Sequence, residues 1–287
     1  MRNLFSRMVL VCIALPALYA IIVCLPQFGH GATVLVAVVF SAGCGVEISR
    51  LFSSKGIPSH PFRAASLAVF PPVLLWALRQ FFQGSAGESL PLFVVGVSVS
   101  FMIALSPLAF SGTKDGFSQT LVSVASTAFS LLYPGLFSSA IVLIASYPEH
   151  STQAILWFAL LVFGNDSAAW AVGMLFGRHR GVVTVSPNKS LEGFLGAFAG
   201  SFCFAFAGPA FFPGVVRGDP VGLLVLGFFV GIAVVVGDLF ESALKRSAGA
   251  KDSGTTIPGR GGFLDSFDSI LFAAPIYYLV IQLFNLL

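Results

Sequence analysis

Nine of the 27 formally charged residues fall in the 31 positions from Asp238 to Asp268, between two apolar runs. They are Asp238, Glu241, Lys245, Arg246, Lys251, Asp252, Arg260, Asp265 and Asp268. Asp238, Ser242, Lys245 and Gly249 follow helical spacing on one face, and Glu241 can pair with Lys245 at i+4. The chain then becomes AKDSGTTIPGRGG, a Gly/Pro-punctuated loop whose backbone N–H groups could wrap a polyanion. Asp265 and Asp268 stand at i, i+3, a separation at which two carboxylates can share a divalent cation. Acid groups, cations and a glycine loop at the edge of a bilayer suggest metal and phosphate chemistry on a lipid. An amphipathic interfacial helix with solvated charges is the plainer alternative for 238–249.

Two other places could take part. Asp166 sits inside an apolar run, in GNDSAAW. An ionisable group at that depth costs about 2.5–3.5 kcal/mol on insertion scales. It should face the bundle interior or a water-filled cavity, either as a structural hydrogen-bonding group or as part of a metal or phosphate site with Asp238, Asp265 and Asp268. After that run comes GRHRGVVTVSPNKSLEGF, residues 177–194. Pro187 breaks any helix there, and Ser190 or Asn188 can cap the next one. A helix start beside Lys189 suits an anion. Glu192 suits the helix dipole, or pairs with Lys189, or touches a metal. Arg178, His179 and Arg180 also read as an ordinary cytoplasmic flank.

The elements that hold these residues are membrane spans. The chain of 287 residues is 56% hydrophobic and 9% charged, against about 25% charged in soluble domains. Apolar runs of spanning length cover about 8–26, 32–48, 64–82, 90–110, 118–146, 154–177, 194–213, 221–237 and 267–286. This is an all-α, polytopic integral membrane protein with about nine transmembrane helices and a polar site at the cytoplasmic face. Residues 1–150 form an N-terminal group of spans, and 151–287 a C-terminal region that carries the motifs. Pro134-Gly135 lies inside the fifth run, which is one kinked span or two short ones. Charge decides: with nine spans and the N-terminus inside, 13 Lys and Arg lie inside and only Arg79 and Arg217 outside. Splitting the run would move seven of those 13 across.

The four cysteines, Cys12, Cys24, Cys44 and Cys203, all fall in apolar runs and make no CxxC pair, so they read as packing residues. Arg2 and Arg7 before the first run resemble a signal peptide, but no A-x-A site follows, so an uncleaved span is expected. Three GxxxG spacings, Gly173/Gly177, Gly196/Gly200 and Gly227/Gly231, permit close helix approach, within the chain or in a homodimer.

The run from Ser242 to Asp268 resembles the diagnostic motif of the phosphatidate cytidylyltransferases, also called CDP-diacylglycerol synthases. That motif reads S-x-x-K-R-x4-K-D-x-G-x-x-I-P-G-H-G-G-x-x-D-R-x-D. Asp166-Ser167 with Gly177-Arg178, and SPNKSLEG at 186–193, resemble two further motifs of the same family. The likeness covers about 164–270; the N-terminal half matches only as hydrophobic spans.

The resemblance implies a reaction of phosphatidate with CTP that gives CDP-diacylglycerol and pyrophosphate, in phospholipid biosynthesis, with one or two Mg²⁺ ions. It implies Asp166, Asp238, Asp265 and Asp268 at the metal-containing site, with Asp238, Lys245, Asp265 and Asp268 catalytic. Lys189, Ser190, Glu192, Ser242, Arg246, Lys251, Asp252 and Arg260 would bind substrate. The partners implied are CTP, phosphatidate and membrane lipid, with no nucleic acid. The location implied is the bacterial inner membrane.

Two positions depart from the motif. Arg260 stands where the family usually has His, and Ser266 where it usually has Arg. Arg260 is expected to supply the charge missing at 266. Rival readings are another lipid-phosphate or polyprenol nucleotidyl- or phosphotransferase and an ion-coupled transporter. The CDP-alcohol phosphotransferase pattern DGx2ARx8Gx3Dx3D is absent from the sequence, and no inverted repeat supports a transporter.

Overall fold

A computed structural model describes residues 2–82, 86–109 and 120–287. The side chains of 2–11, 86–89 and 108 are outside the description, as are Lys114 and its loop. The described chain is helical, with two isolated β-bridges in loops. Its segments are α1 (Arg2–Cys24), α2 (Gln27–Ser53), α3 (Pro61–Phe81), α4 (Ala86–Ala109), α5 (Thr120–Ala145), α6 (Ser151–Phe176), α7 (Leu191–Phe211), α8 (Pro220–Ser247) and α9 (Leu264–Leu283). Among the described residues, eight helices, α2 to α9, are long and apolar enough to cross a membrane. The described part of the first run, Cys12–Cys24, is a shorter apolar helix.

The fifth run is one continuous segment. Its middle, Leu131–Leu136, is π-helical and contains Pro134. Proline lacks an N–H and its ring crowds the carbonyl four residues back. One widened turn accommodates the ring without breaking the span.

The chain divides into two compact units, 1–142 with 247–267, and 143–246 with 268–287. The stretch 247–267 therefore groups with the N-terminal helices. In the first unit, Ser41 repairs backbone that prolines disrupt. Pro72 cannot bond back to Ala68, and Ser41 Oγ lies 2.8 Å from Ala68 O. The same hydroxyl lies 2.5 Å from Pro134 O and 3.3 Å from Ser138 Oγ. In lipid, where water cannot serve freed carbonyls, such a hydroxyl is what keeps proline-bearing spans intact.

In the second unit, glycines bring α6 and α7 together. A β-carbon at Gly196 would sit 2.6 Å from Val172 Cβ, and one at Gly200 would sit 2.9 Å from Gly164 O. Gly227 and Gly231 of α8 likewise meet Phe202 and Ser201 of α7. The small-residue spacings thus serve packing within the unit. Polar contacts fix the register: Asn165, 1% exposed, donates to Ala197 O (3.1 Å) and Ser201 Oγ (2.7 Å). The buried Trp157 indole N–H donates to Phe204 O at 3.0 Å. Tyr277 of α9 donates to Ala154 O at 2.9 Å and meets Trp157 edge to face.

Cys44 is buried; Cys12, Cys24 and Cys203 are exposed on apolar helices, and all four are free thiols.

Candidate functional site

In the second unit the polar side chains gather where α6, α8 and α9 have one set of ends. Gly237 makes this possible: a β-carbon there would lie 2.8 Å from Asp268 O. The close approach puts Asp238 near Asp268. Asp268 is 8% exposed, and its Oδ1 accepts from Ser269 N at 2.6 Å. The charged groups whose fields reach it are Asp238, Asp166 and Lys245. Asp238 is held by the Lys189 ammonium, which reaches it from the 177–190 loop and also lies 5.8 Å from the Phe194 ring centre. Two stretches far apart in sequence therefore meet in one acid–base cluster.

The supporting residues are plainly structural in part. Ser190 caps α7, accepting from Gly193 N at 3.1 Å. Glu192 lies 2.5 Å from His179 Nδ1 and also accepts from His179 N, so its side-chain partner is His179. Lys245 pairs with the buried Glu241 at 2.5 Å, one turn apart on α8. Ser242 is half-buried and Arg246 exposed near the end of that helix.

The remaining motif residues lie in the first unit. Ile257, Pro258, Gly259 and Arg260 form a tight turn, with Arg260 N bonding Ile257 O at 3.1 Å and Gly259 at φ +78°. Proline second and a left-handed glycine third make this a type II turn, which needs glycine there. It carries Arg260 exposed, with Lys251 and Asp252 also exposed nearby in the chain. Asp265 closes the loop: its Oδ2 accepts from Ser253 N (2.9 Å), Ser253 Oγ (2.8 Å) and Gly262 N (2.7 Å).

Glu47 of α2, which motif reasoning overlooked, joins this loop. It is 1% exposed. It accepts from Ser253 Oγ (2.8 Å), Phe263 N (2.9 Å) and Leu264 N (2.9 Å). The signal existed: it is an acid inside an apolar span, as Asp166 is.

Carboxylate oxygens are the right donors for Mg²⁺, which keeps several waters and takes one or two protein carboxylates plus substrate phosphates. Among the described residues no three His, Cys, Asp or Glu side chains converge as a ready cage. A set of two or three aspartates, one neutralised by Lys189, fits a cation that arrives with a polyphosphate. A separate cavity of about 490 Å³, lined by Tyr147, His150, Arg217 and Gln282, lies at the other ends of α6, α8 and α9 and contains none of these residues.

Residues 5–284 match a family model described as the cytidylyltransferase family. The chain is 36% identical over 200 residues to a phosphatidate cytidylyltransferase of Thermotoga maritima, covering 67% of this chain and 68% of the relative. It is 40% identical over 229 residues to the protein of that name from Helicobacter pylori, covering 79% and 74%. A Bacillus subtilis protein of the same name is 33% identical over 169 residues, covering 58% and 61%.

Proposed function

The chain belongs to the cytidylyltransferase family, and from that membership and the clustered aspartates and lysines we infer that it is a phosphatidate cytidylyltransferase. It is an integral membrane nucleotidyltransferase that converts CTP and phosphatidate into CDP-diacylglycerol and pyrophosphate. The observation that carries the site assignment is the meeting of Lys189 with Asp238, near Asp268, at the ends of membrane-length helices.

A phosphatidate phosphate oxygen attacks the α-phosphorus of CTP. A new P–O bond forms while the bond from that phosphorus to the bridging oxygen breaks, and pyrophosphate leaves. The phosphomonoester has a second pKa of about 6, so near neutral pH it is already largely ionised and no side chain need remove a proton. The protein's task is to hold two polyanions together and offset their repulsion. Lys189, Lys245, Arg246, Lys251 and Arg260 are the cations for that task, with Ser190 and Ser242 as hydroxyl partners. Glu192 orders the Lys189 loop through His179, and Asp252 flanks Lys251 in the glycine loop. Asp166, Asp238 and Asp268 would hold Mg²⁺; Asp265, in the first unit, is assigned to the metal by its motif position alone, and its Oδ2 fastens the loop. When bound, Mg²⁺ supplies charge neutralisation at the departing pyrophosphate.

The excess of Lys and Arg in alternate loops supports a cytoplasmic site in a bacterial inner membrane. That is also the side on which CTP is available.

The test uses purified protein in detergent with phosphatidate, Mg²⁺ and CTP labelled at either the α- or the γ-phosphate. Label from the α-position in lipid and from the γ-position in pyrophosphate is the expected result. Lipid labelled from the γ-position would make the enzyme a kinase, and no nucleotide-dependent product would remove the reading.

A further inference from the structure

We propose that Glu47 is a positioning residue for the reaction: from α2 it clamps the 253–264 loop and so sets where Lys251 and Arg260 meet the nucleotide's phosphates. The substrate part of this proposal rests on the cytidylyltransferase reading; the clamp itself does not.

Three observations carry it. Glu47 is 1% exposed, and both its oxygens are acceptors for the loop, Oε1 for Phe263 N and Oε2 for Ser253 Oγ and Leu264 N. Phe263 N and Leu264 N are the groups that the start of α9 cannot satisfy within its own helix. A carboxylate from another helix supplies both bonds, and its charge suits that end of the helix dipole.

The second observation is the space left for it. β-Carbons at Gly254 and Gly262 would collide with the Glu47 carboxylate. Neither glycine needs a left-handed backbone, since neither has positive φ. Their lack of a side chain is explained by the acid that lies against them.

The third is the face around Glu47. Phe40, Gly43 and Glu47 recur at i, i+3 and i+7 on α2. Phe40 meets Phe263 edge to face and Phe267 at a tilt, with ring centres 5.2 and 5.4 Å apart. Gly43 leaves room for the Phe263 ring. Apolar contact sets the distance between α2 and the loop, and Glu47 sets the loop's conformation. Lys251 and Arg260 project from that loop on its exposed side.

The experiment compares the full-length protein with Glu47→Gln, which keeps size and one acceptor but puts an amide N–H where the loop presents donors. Trypsin cleavage after Arg260 reads the loop directly. Steady-state KM for CTP and kcat read the consequence, and detergent thermal unfolding monitors the fold. Losing one such hydrogen bond corresponds to about a fivefold effect. The expected result is cleavage about fivefold faster and KM for CTP about fivefold higher, with any fall in unfolding temperature small enough that the protein is fully folded under assay conditions. A residue that served only folding would lower the active fraction, seen in apparent kcat, and leave KM unchanged. That outcome, or cleavage at the wild-type rate, overturns the proposal. Should Glu47→Gln not fold, Ser253→Ala removes one of the clamp's donors; a smaller shift in both readouts is expected, and no shift in either overturns the proposal. Absence of CTP turnover in the wild type would refute the reaction assignment, and the tryptic arm would still decide the clamp.

Discussion

Glu47 and Asp265 divide the labour of holding one loop. Asp265 takes Ser253 N and Gly262 N from within it, Glu47 takes Phe263 N and Leu264 N from across the helix packing, and the two acids share the single Ser253 hydroxyl. The positions where this chain departs from the family motif lie in or beside the same loop. Arg260 is exposed at the type II turn, and Ser266 Oγ reaches only Gly262 O, at 3.3 Å. We propose that the permanent cation at 260 stands in for the one missing at 266. Restoring both motif residues, Arg260→His with Ser266→Arg, is expected to retain label transfer within about tenfold of wild type, a difference of about 1.4 kcal/mol. Ser266→Arg alone crowds two cations and should be the poorer enzyme. A dead double variant beside two active singles would refute the compensation.

The charged cluster at 238–268 was legible because charges are so rare elsewhere in the chain. Glu47 was not, because a single acid in an apolar helix gives no spacing to match. Its meaning appears only when Gly254 and Gly262, 207 and 215 residues further on, come to rest against it.

The helices illustrate the same limit differently. Of the nine apolar runs, eight coincide with helices of spanning length among the described residues, since period and length are local properties, and the described part of the first is shorter. How Pro134 is absorbed is not local: the π-turn and the Ser41 hydroxyl, whose one proton is shared between Ala68 O and Pro134 O, come from packing. The contact between α6 and α7 was foreseen only as paired glycines. Its polar register, Asn165 on Ala197 O and Ser201 Oγ, was not. Asn165→Ala removes the bonds to Ala197 O and Ser201 Oγ, at a cost of about 0.5–1.5 kcal/mol each. Lower detergent thermal stability is expected, with Asp238 chemistry impaired only as far as the fold is. Gly200→Val should be at least as harmful, because its β-carbon would meet Ala168 Cβ at 2.7 Å. Overpacking of this kind costs about 1–3 kcal/mol. Unchanged unfolding of both variants would contradict the packing described.

For the molecule as a whole, we propose the orientation that the charge asymmetry favours. The arrangement with 13 Lys and Arg inside and two outside requires α5 to cross once. Reporters fused after Lys114 and after Glu149 are expected to give opposite signals, and matching signals would refute the topology. Lys189 and Asp238 belong to stretches that this topology puts on one face, and their contact agrees with it. An enzyme whose lipid substrate lies in the bilayer and whose nucleotide arrives from water needs its charges at such an edge.

Nucleotidyl transfer is proposed to occur at the aspartates of the second unit. The most direct measurement follows α-labelled CTP into phosphatidate-derived lipid as Mg²⁺ is varied, for the wild type, Asp238→Asn and Asp268→Asn. The wild type should label lipid only with Mg²⁺ present. Each variant, with a wild-type unfolding profile, should lose about a hundredfold or more in kcat, the scale of losing one charge-stabilising group. Variants that fold and transfer label at wild-type rates would place the chemistry elsewhere.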